Sequence, residues 1–213
     1  MTILAVETST EHPSVAVLKD GRIIDEVQWQ SIDIASSLMS RIDYLLKKNK
    51  LPLSLIDRVA VSLGPGSWTG VRVGLSLAKG LVIGRRERLY GIYSAENIIF
   101  AFYSTEFPVC SLINALRGNF YYSISEDPSQ VVITPPKIEQ GKITEILDRL
   151  PNRTLVAGPA VAEISEAIWN QHQKLTVASL SYCYPKAGIA GRLAEMKIRK
   201  GIPSPLLEPF YER

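Results

Sequence analysis

The chain is poor in the residues that build metal centres and redox sites. Among 213 residues there are only two histidines, His12 and His172, lying 160 positions apart. The two cysteines, Cys110 and Cys183, are 73 positions apart with no CxxC spacing. A zinc or redox site needs ligands at short, repeated spacings, so no metal ligand is expected and both thiols are expected to be unpaired in a reducing cytoplasm. Long apolar runs are also missing. None approaches the ~18 residues of a membrane span, and the opening MTILAVETST lacks the basic region and apolar core of a leader peptide. A cytoplasmic protein with no membrane contact is therefore expected. Charge of one sign is scarce: 24 Lys+Arg against 21 Asp+Glu give a net charge of +3, with 12 basic residues in 1–100 and 12 in 101–213. The whole-chain field is too weak to argue direct nucleic-acid binding. The local clusters Lys47-Lys48-Lys50, Arg85-Arg86-Arg88 and Lys197-Arg199-Lys200 fall at predicted helix ends, where cations complement the helix dipole.

The residues that are present can bury a real core, since 46% are hydrophobic. Strand signals open the chain at 3–7, 14–18 and 22–29, with Asp20-Gly21 as a hairpin turn between the last two. A helix is predicted from Asp33 to Asn49 on the apolar stripe Ile34, Leu38, Ile42, Leu45. RVAVSLG at 58–64 reads as a strand buried on both faces. A helix over 71–84, a short strand at 88–93 and a helix from Ser94 to Tyr103 follow. This β-β-β-α-β-α-β-α order predicts an antiparallel meander joined to parallel crossover strands. Beyond Thr105 the signal weakens. Strands are predicted at 108–116, 119–125 and 154–158, and helices at 142–150, 161–171 and 187–200, with prolines 203, 205 and 209 forcing an extended tail. No internal repeat is visible.

The most informative stretch is DRVAVSLGPGSWTGVRVGLSLAKGLVIG, 57–84. Gly64 and Gly66 permit a tight turn after the buried strand, and Ser67 or Thr69 can cap the helix that follows. Gly64, Gly66, Ser67 and Thr69 are weak anion-site candidates, because such a loop aims N–H groups above a helix N-terminus. Neither GxGxxG nor the Walker pattern is satisfied, so a structural turn is favoured over a phosphate cradle. The helix itself looks apolar all round. Gly70 and Gly74, then Gly80 and Gly84, recur at four-residue spacing and suggest close approach of another helix, from a partner slightly ahead of the same chain. Ile34, Leu38, Met39 and Ile42 on the first helix, with Gly70, Gly74, Leu75 and Ala78 on the second, are the expected partner interface.

ILAVETST, GPGSWTGVRVG with its small-residue helix, LINALRGNFYYSI and the closing EPFYER together resemble the TsaB (YeaZ) family over essentially the whole chain. The resemblance implies a two-lobed α/β fold of the sugar-kinase, heat-shock and actin superfamily, with mixed sheets flanked by helices and a reduced second lobe. The lobes are expected at 1–104 and 105–213, with the last helix free to pack back on the first lobe. It implies a homodimer, and alternatively a heterodimer with the catalytic relative TsaD, both through the first-lobe helices. TsaE joins through that heterodimer, and tRNA contact is indirect. The implied role is a non-catalytic scaffold for threonylcarbamoyl transfer to the adenosine next to the anticodon, in tRNAs reading codons that begin with A. The catalytic relative carries a His-x-x-x-His metal pair on the first helix, where this chain reads IDIASSLMSRID with Ile34 in the place of a histidine. Active superfamily members also use an Asp-Gly-Gly-type phosphate loop in the second lobe. This chain has no Gly-Gly pair, and Glu7 stands without an acidic partner. No catalytic residue, cofactor or metal is therefore expected. The alternative is an autonomous ATP-dependent phosphotransferase or ATPase of the same superfamily.

Overall fold

A computed structural model describes residues 1–85, 88–172 and 174–210. Arg86 of the second basic cluster, and Tyr211 to Arg213 of the closing motif, lie outside the described residues. The chain divides into two units, Met1–Ser94 with the segment from Pro185 onward, and Ala95–Tyr184. The expected boundary between 104 and 105 is thus displaced to 94/95, and the last helix belongs to the first unit.

In the first unit, β1 (Thr2–Glu7), β2 (Ser14–Lys19) and β3 (Arg22–Gln28) form an antiparallel meander. β4 (Arg58–Ser62) then pairs parallel to β1, with Ala5 opposite Ala60, and β5 (Leu89–Ile92) pairs parallel to β4, giving the order β3-β2-β1-β4-β5. α1 (Ile34–Lys48) and α2 (Trp68–Leu81) cover one face. Leu4, Val6, Val15 and Val17 of the strands meet Leu38, Ile42, Leu45, Leu75 and Ala78 of the helices in one buried cluster. Alternation along each strand sends the intervening residues to the opposite face, and α6 (Ala187–Arg199) covers them. A Cβ added at Gly191 of α6 would lie 2.3 Å from Leu18 and 3.2 Å from Ala5. Both faces are therefore dry at β1 and β4, though not at the exposed edge strand β3, which is why β1 and β4 read as near-continuous apolar runs.

The placement of α6 has a polar cause as well. Lys186, at its N-cap, provides no side-chain cap. Its first free N–H groups instead donate to the sheet: Ala187 to Ser14 Oγ at 2.7 Å and Gly188 to Glu26 Oε1 at 3.0 Å. A carboxylate at a helix N-terminus also complements its dipole. Farther along α6, buried Glu195 accepts the Gly21 N–H of the β2–β3 turn at 2.7 Å.

The second unit repeats the topology of the first. α3 (Ser94–Phe100) leads into it, and β6 (Val109–Asn114), β7 (Asn119–Ser125) and β8 (Glu139–Lys142) form the meander. β9 (Leu155–Ala157) pairs parallel to β6 and β10 (Thr176–Val177) parallel to β9, in the order β10-β9-β6-β7-β8. α4 (Ile143–Arg149) packs on this sheet through Ile146 and Leu147. The helix expected over 161–171 is split. Residues Pro159–Glu163 form a 3₁₀ turn, and α5 (Glu166–Gln171) is confined to the end. β8 and β10 were not expected; EQGK and a two-residue edge carry no apolar alternation.

Candidate functional site

Two of the loops singled out by sequence meet beside the parallel pair β1 and β4. β1 ends at Glu7 and continues through Thr8, Ser9 and Thr10, and β4 continues through Gly64 and Gly66 into α2. Ligands of open α/β sheets bind outside such carboxyl ends, so the local geometry decides what this end can hold. The Ser67 N–H donates to Ser9 O at 2.7 Å. A Cβ at Gly66 would lie 2.2 Å from that same Ser9 O, one at Gly70 2.1 Å from Thr8 O, and one at Gly74 2.2 Å from Thr8 Oγ1. The glycines at 66, 70 and 74 therefore let the Thr8-Ser9 segment lie directly against α2. Close approach was expected at Gly70 and Gly74 from their spacing, and the approaching group is the chain's own strand end, not a second helix.

The Gly64 and Ser67 N–H groups of the loop are spent on the chain. Ser67 is the N-cap of α2, its Oγ accepting the Gly70 N–H at 3.1 Å, and the Gly64 N–H donates to Ser62 Oγ at 3.3 Å. Thr69 is exposed on the first turn of α2. Glu7 is buried, 1% exposed, and its carboxylate accepts the Ser9 N–H at 2.8 Å, holding the turn that presses on the helix. Thr8 Oγ1 and Ser9 Oγ are buried and have no hydrogen-bond partner among the described residues.

No group of three or more His, Cys, Asp and Glu side chains able to hold a metal occurs among the described residues. His12 is half-buried in the first unit with Nε2 3.9 Å from Glu11, and His172 ends α5 in the second unit. Ile34 packs against Gly70, its Cδ1 3.1 Å from where a Cβ would stand. Both cysteines are buried and free, and burial pushes the Cys110 thiol up from 9.0 to about 12. Of the tyrosine pair on β7, Tyr122 is in the core and Tyr121 is half-buried, as alternation requires.

The eight expected interface residues fall mostly inside the first unit. Ile34, Leu38, Ile42, Gly70, Gly74, Leu75 and Ala78 are all buried against the sheet and Thr8, whereas Met39 is 53% exposed. The α2 helix is not buried all round either. Arg72, Ser76 and Lys79 are exposed and nothing lies within 4 Å of a Cβ at Gly80, while just past the end of the helix Ile83 is exposed and Gly84 open. The outer surface of the pair consists of exposed Met39 and Trp68, with Val73, Leu77 and Leu81 half-buried. Arg72 lies over the Trp68 ring, its guanidinium carbon 3.7 Å from the centroid. Between α1 and α2 runs a groove that includes Met39, Ile42, Leu46, Leu51 and Leu81. Sequence periodicity found the stripe and set a partner only slightly ahead of an internal core, because it could not show that the strand end fills the glycine notches.

The β-β-β-α-β-α-β order of the first unit, its echo in the second, and a glycine-bearing loop at the end of β4 make up an actin-like fold. Solved structures agree. YeaZ from Pseudomonas aeruginosa superposes with a TM-score of 0.76 over 99% of both chains at 20% identity, and the ROK hexokinase of Thermus thermophilus with 0.55 over 94% of this chain and 100% of that one at 10% identity. Residues 31–185 match the family model described as TsaD: tRNA N6-adenosine threonylcarbamoyltransferase, and the chain belongs to that family. A curated relative, the tRNA threonylcarbamoyladenosine biosynthesis protein TsaB of Haemophilus influenzae, is 32% identical over 114 residues, 47% of this chain and 48% of that one. The chain thus spans about half the length of the curated relatives it matches. The resemblance to TsaB read from the motifs is borne out by these relatives. No helix among the described residues is long and apolar enough to cross a membrane.

Proposed function

We propose that the chain acts in tRNA threonylcarbamoyladenosine biosynthesis as a cytoplasmic, non-catalytic scaffold subunit. On this reading it supports threonylcarbamoyl transfer to the adenosine next to the anticodon, in tRNAs reading codons that begin with A. The outer surface of α1 and α2 pairs with a second copy or with the catalytic relative TsaD, and TsaE is recruited through the heterodimer. The observation that carries the reading is the packing at the end of β1. Thr8 and Ser9 fill the glycine notches of α2, and the Glu7 carboxylate is held to the Ser9 N–H, so these groups at the end of β1 are committed to packing within the chain. What α1 and α2 leave to the outside is an apolar surface around Met39, Trp68, Val73 and Leu77, with the composition of an interface core rimmed by charge.

Pairing is measured by titrating the chain with the TsaD relative of its own organism. Met39→Glu and Leu77→Glu should each weaken the complex by about tenfold or more, since a carboxylate would be desolvated at a packed contact. Near-ultraviolet circular dichroism is the folding control. Two folded variants that bind as wild type would remove this surface from consideration.

A further inference from the structure

The second unit carries a cleft that the pairing surface does not use. Three segments converge there, laced by backbone hydrogen bonds: the Leu155 N–H donates to Pro108 O at 2.8 Å, the Arg153 N–H to Lys174 O at 2.9 Å, and the Thr176 N–H to Thr154 O at 2.9 Å. The resulting cleft, about 520 Å³, is lined by Phe107, Asn152, Arg153, Lys174, Leu175 and Thr176. Two cations, an amide and a hydroxyl line it, and no carboxylate does. Neither Arg153 nor Lys174 forms an ion pair among the described residues.

Arg153 is held in an unusual way. Its backbone φ is +64°, a left-handed conformation that a branched-free but bulky side chain rarely adopts and that glycine takes at no cost. Its guanidinium lies over the Phe107 ring, 4.4 Å from the centroid, while both residues remain exposed. A planar cation backed by an aromatic ring is a stacking platform for a nucleobase, and the neighbouring ammonium and guanidinium N–H groups take phosphate oxygens. An acidic peptide would need the charges but not the ring-backed plane.

We propose that this cleft is a contact for single-stranded RNA, with Lys174 and Arg153 on phosphates and the Phe107-backed guanidinium stacked on a base. The weak whole-chain charge is compatible with this, because two phosphate contacts supply a local increment to a larger assembly and no tight binding alone. The proposal rests on the function proposed above only for tRNA as the natural occupant. The test below uses no partner protein, so its failure and a failure of pairing with TsaD are separate results.

The probe is a fluorescein-labelled oligouridine of about ten nucleotides, titrated at low salt with the full chain and read by anisotropy. Wild type should bind in the range of roughly 10⁻⁴ to 10⁻⁶ M, weakening with a log–log salt slope of about −1.4 for two single-strand phosphate contacts. Arg153→Gly relieves the left-handed backbone and so keeps the fold, yet should weaken binding about fivefold or more, as should Lys174→Glu, while Lys47→Glu on α1 should not. Absence of binding by wild type, equal binding by Arg153→Gly and Lys174→Glu, or an equal loss in Lys47→Glu would overturn the proposal. Competition by polyglutamate as effective as that by unlabelled RNA would do the same, since it would mark a generic site for acidic protein.

Discussion

A methyl group added at Gly74 would stand 2.2 Å from Thr8 Oγ1, and the other atoms of that side chain are only 3.3 Å away, so rotation offers little relief. Gly74→Ala should therefore destabilise the chain by about 1–3 kcal/mol, the usual cost of overpacking. Thr8→Ala removes a buried hydroxyl that has no partner among the described residues and should itself cost little. The double variant should recover most of the loss, because the two changes share one contact. Urea denaturation of the four proteins measures this coupling, and additive effects would mean that Thr8 is not what fills the notch. Cys110 makes a second residue-scale prediction. Burial raises its thiol from 9.0 to about 12, so the folded chain keeps that proton where the unfolded chain loses it. The unfolded state then binds fewer protons above pH 9, and the contribution of this group to stability declines from about pH 9 towards pH 12. At pH 8 a thiol reagent should leave Cys110 unmodified in the native protein and find two free thiols after unfolding. The spacing of Gly70 and Gly74 made a close approach legible in the sequence. What approaches was not legible, since Thr8 and Gly74 are joined only by the parallel register of β1 and β4.

At the scale of the element, two of the three glycines of α2 have opposite roles. Gly74 is packed and Gly80 faces open space within the helix. Gly80→Ala should accordingly stabilise the protein by up to about 1 kcal/mol through helix propensity. Ser67→Ala should destabilise it by about 1 kcal/mol, because the Gly70 N–H loses its cap. Thermal unfolding of the two variants should show shifts of opposite sign. Most strands and helices were readable because each carries an apolar period of two or near 3.6, and of the two caps expected for α2 the structure uses Ser67. β8 and β10 were not, since an edge strand half open to solvent need not alternate. The expectation that α2 is covered all round failed for a related reason. Val73, Leu77 and Leu81 are only half-buried and Ile83 is 85% exposed, which apolar composition alone does not distinguish from core.

Across the whole molecule, the same strand order recurs in both units although no repeat is visible in the sequence, because topology follows from patterning and turn placement, which tolerate wide substitution. The return of α6 to the first unit was left open by the sequence, and its cause could not be read there. It depends on Ser14 and Glu26 receiving N–H groups from residues more than 160 positions away, and on Gly191 admitting Leu18. The central proposal is that this molecule contributes a surface to threonylcarbamoyl transfer and no chemistry of its own. Reconstituted transfer onto tRNA, with the TsaD and TsaE relatives of the same organism, tests it most directly. Glu7→Gln should keep the full rate, and Leu77→Glu, folded by circular dichroism, should lose it by about tenfold or more in step with lost pairing. A folded Glu7→Gln chain that pairs normally yet abolishes transfer, or a Leu77→Glu chain that supports it fully, would contradict the proposal.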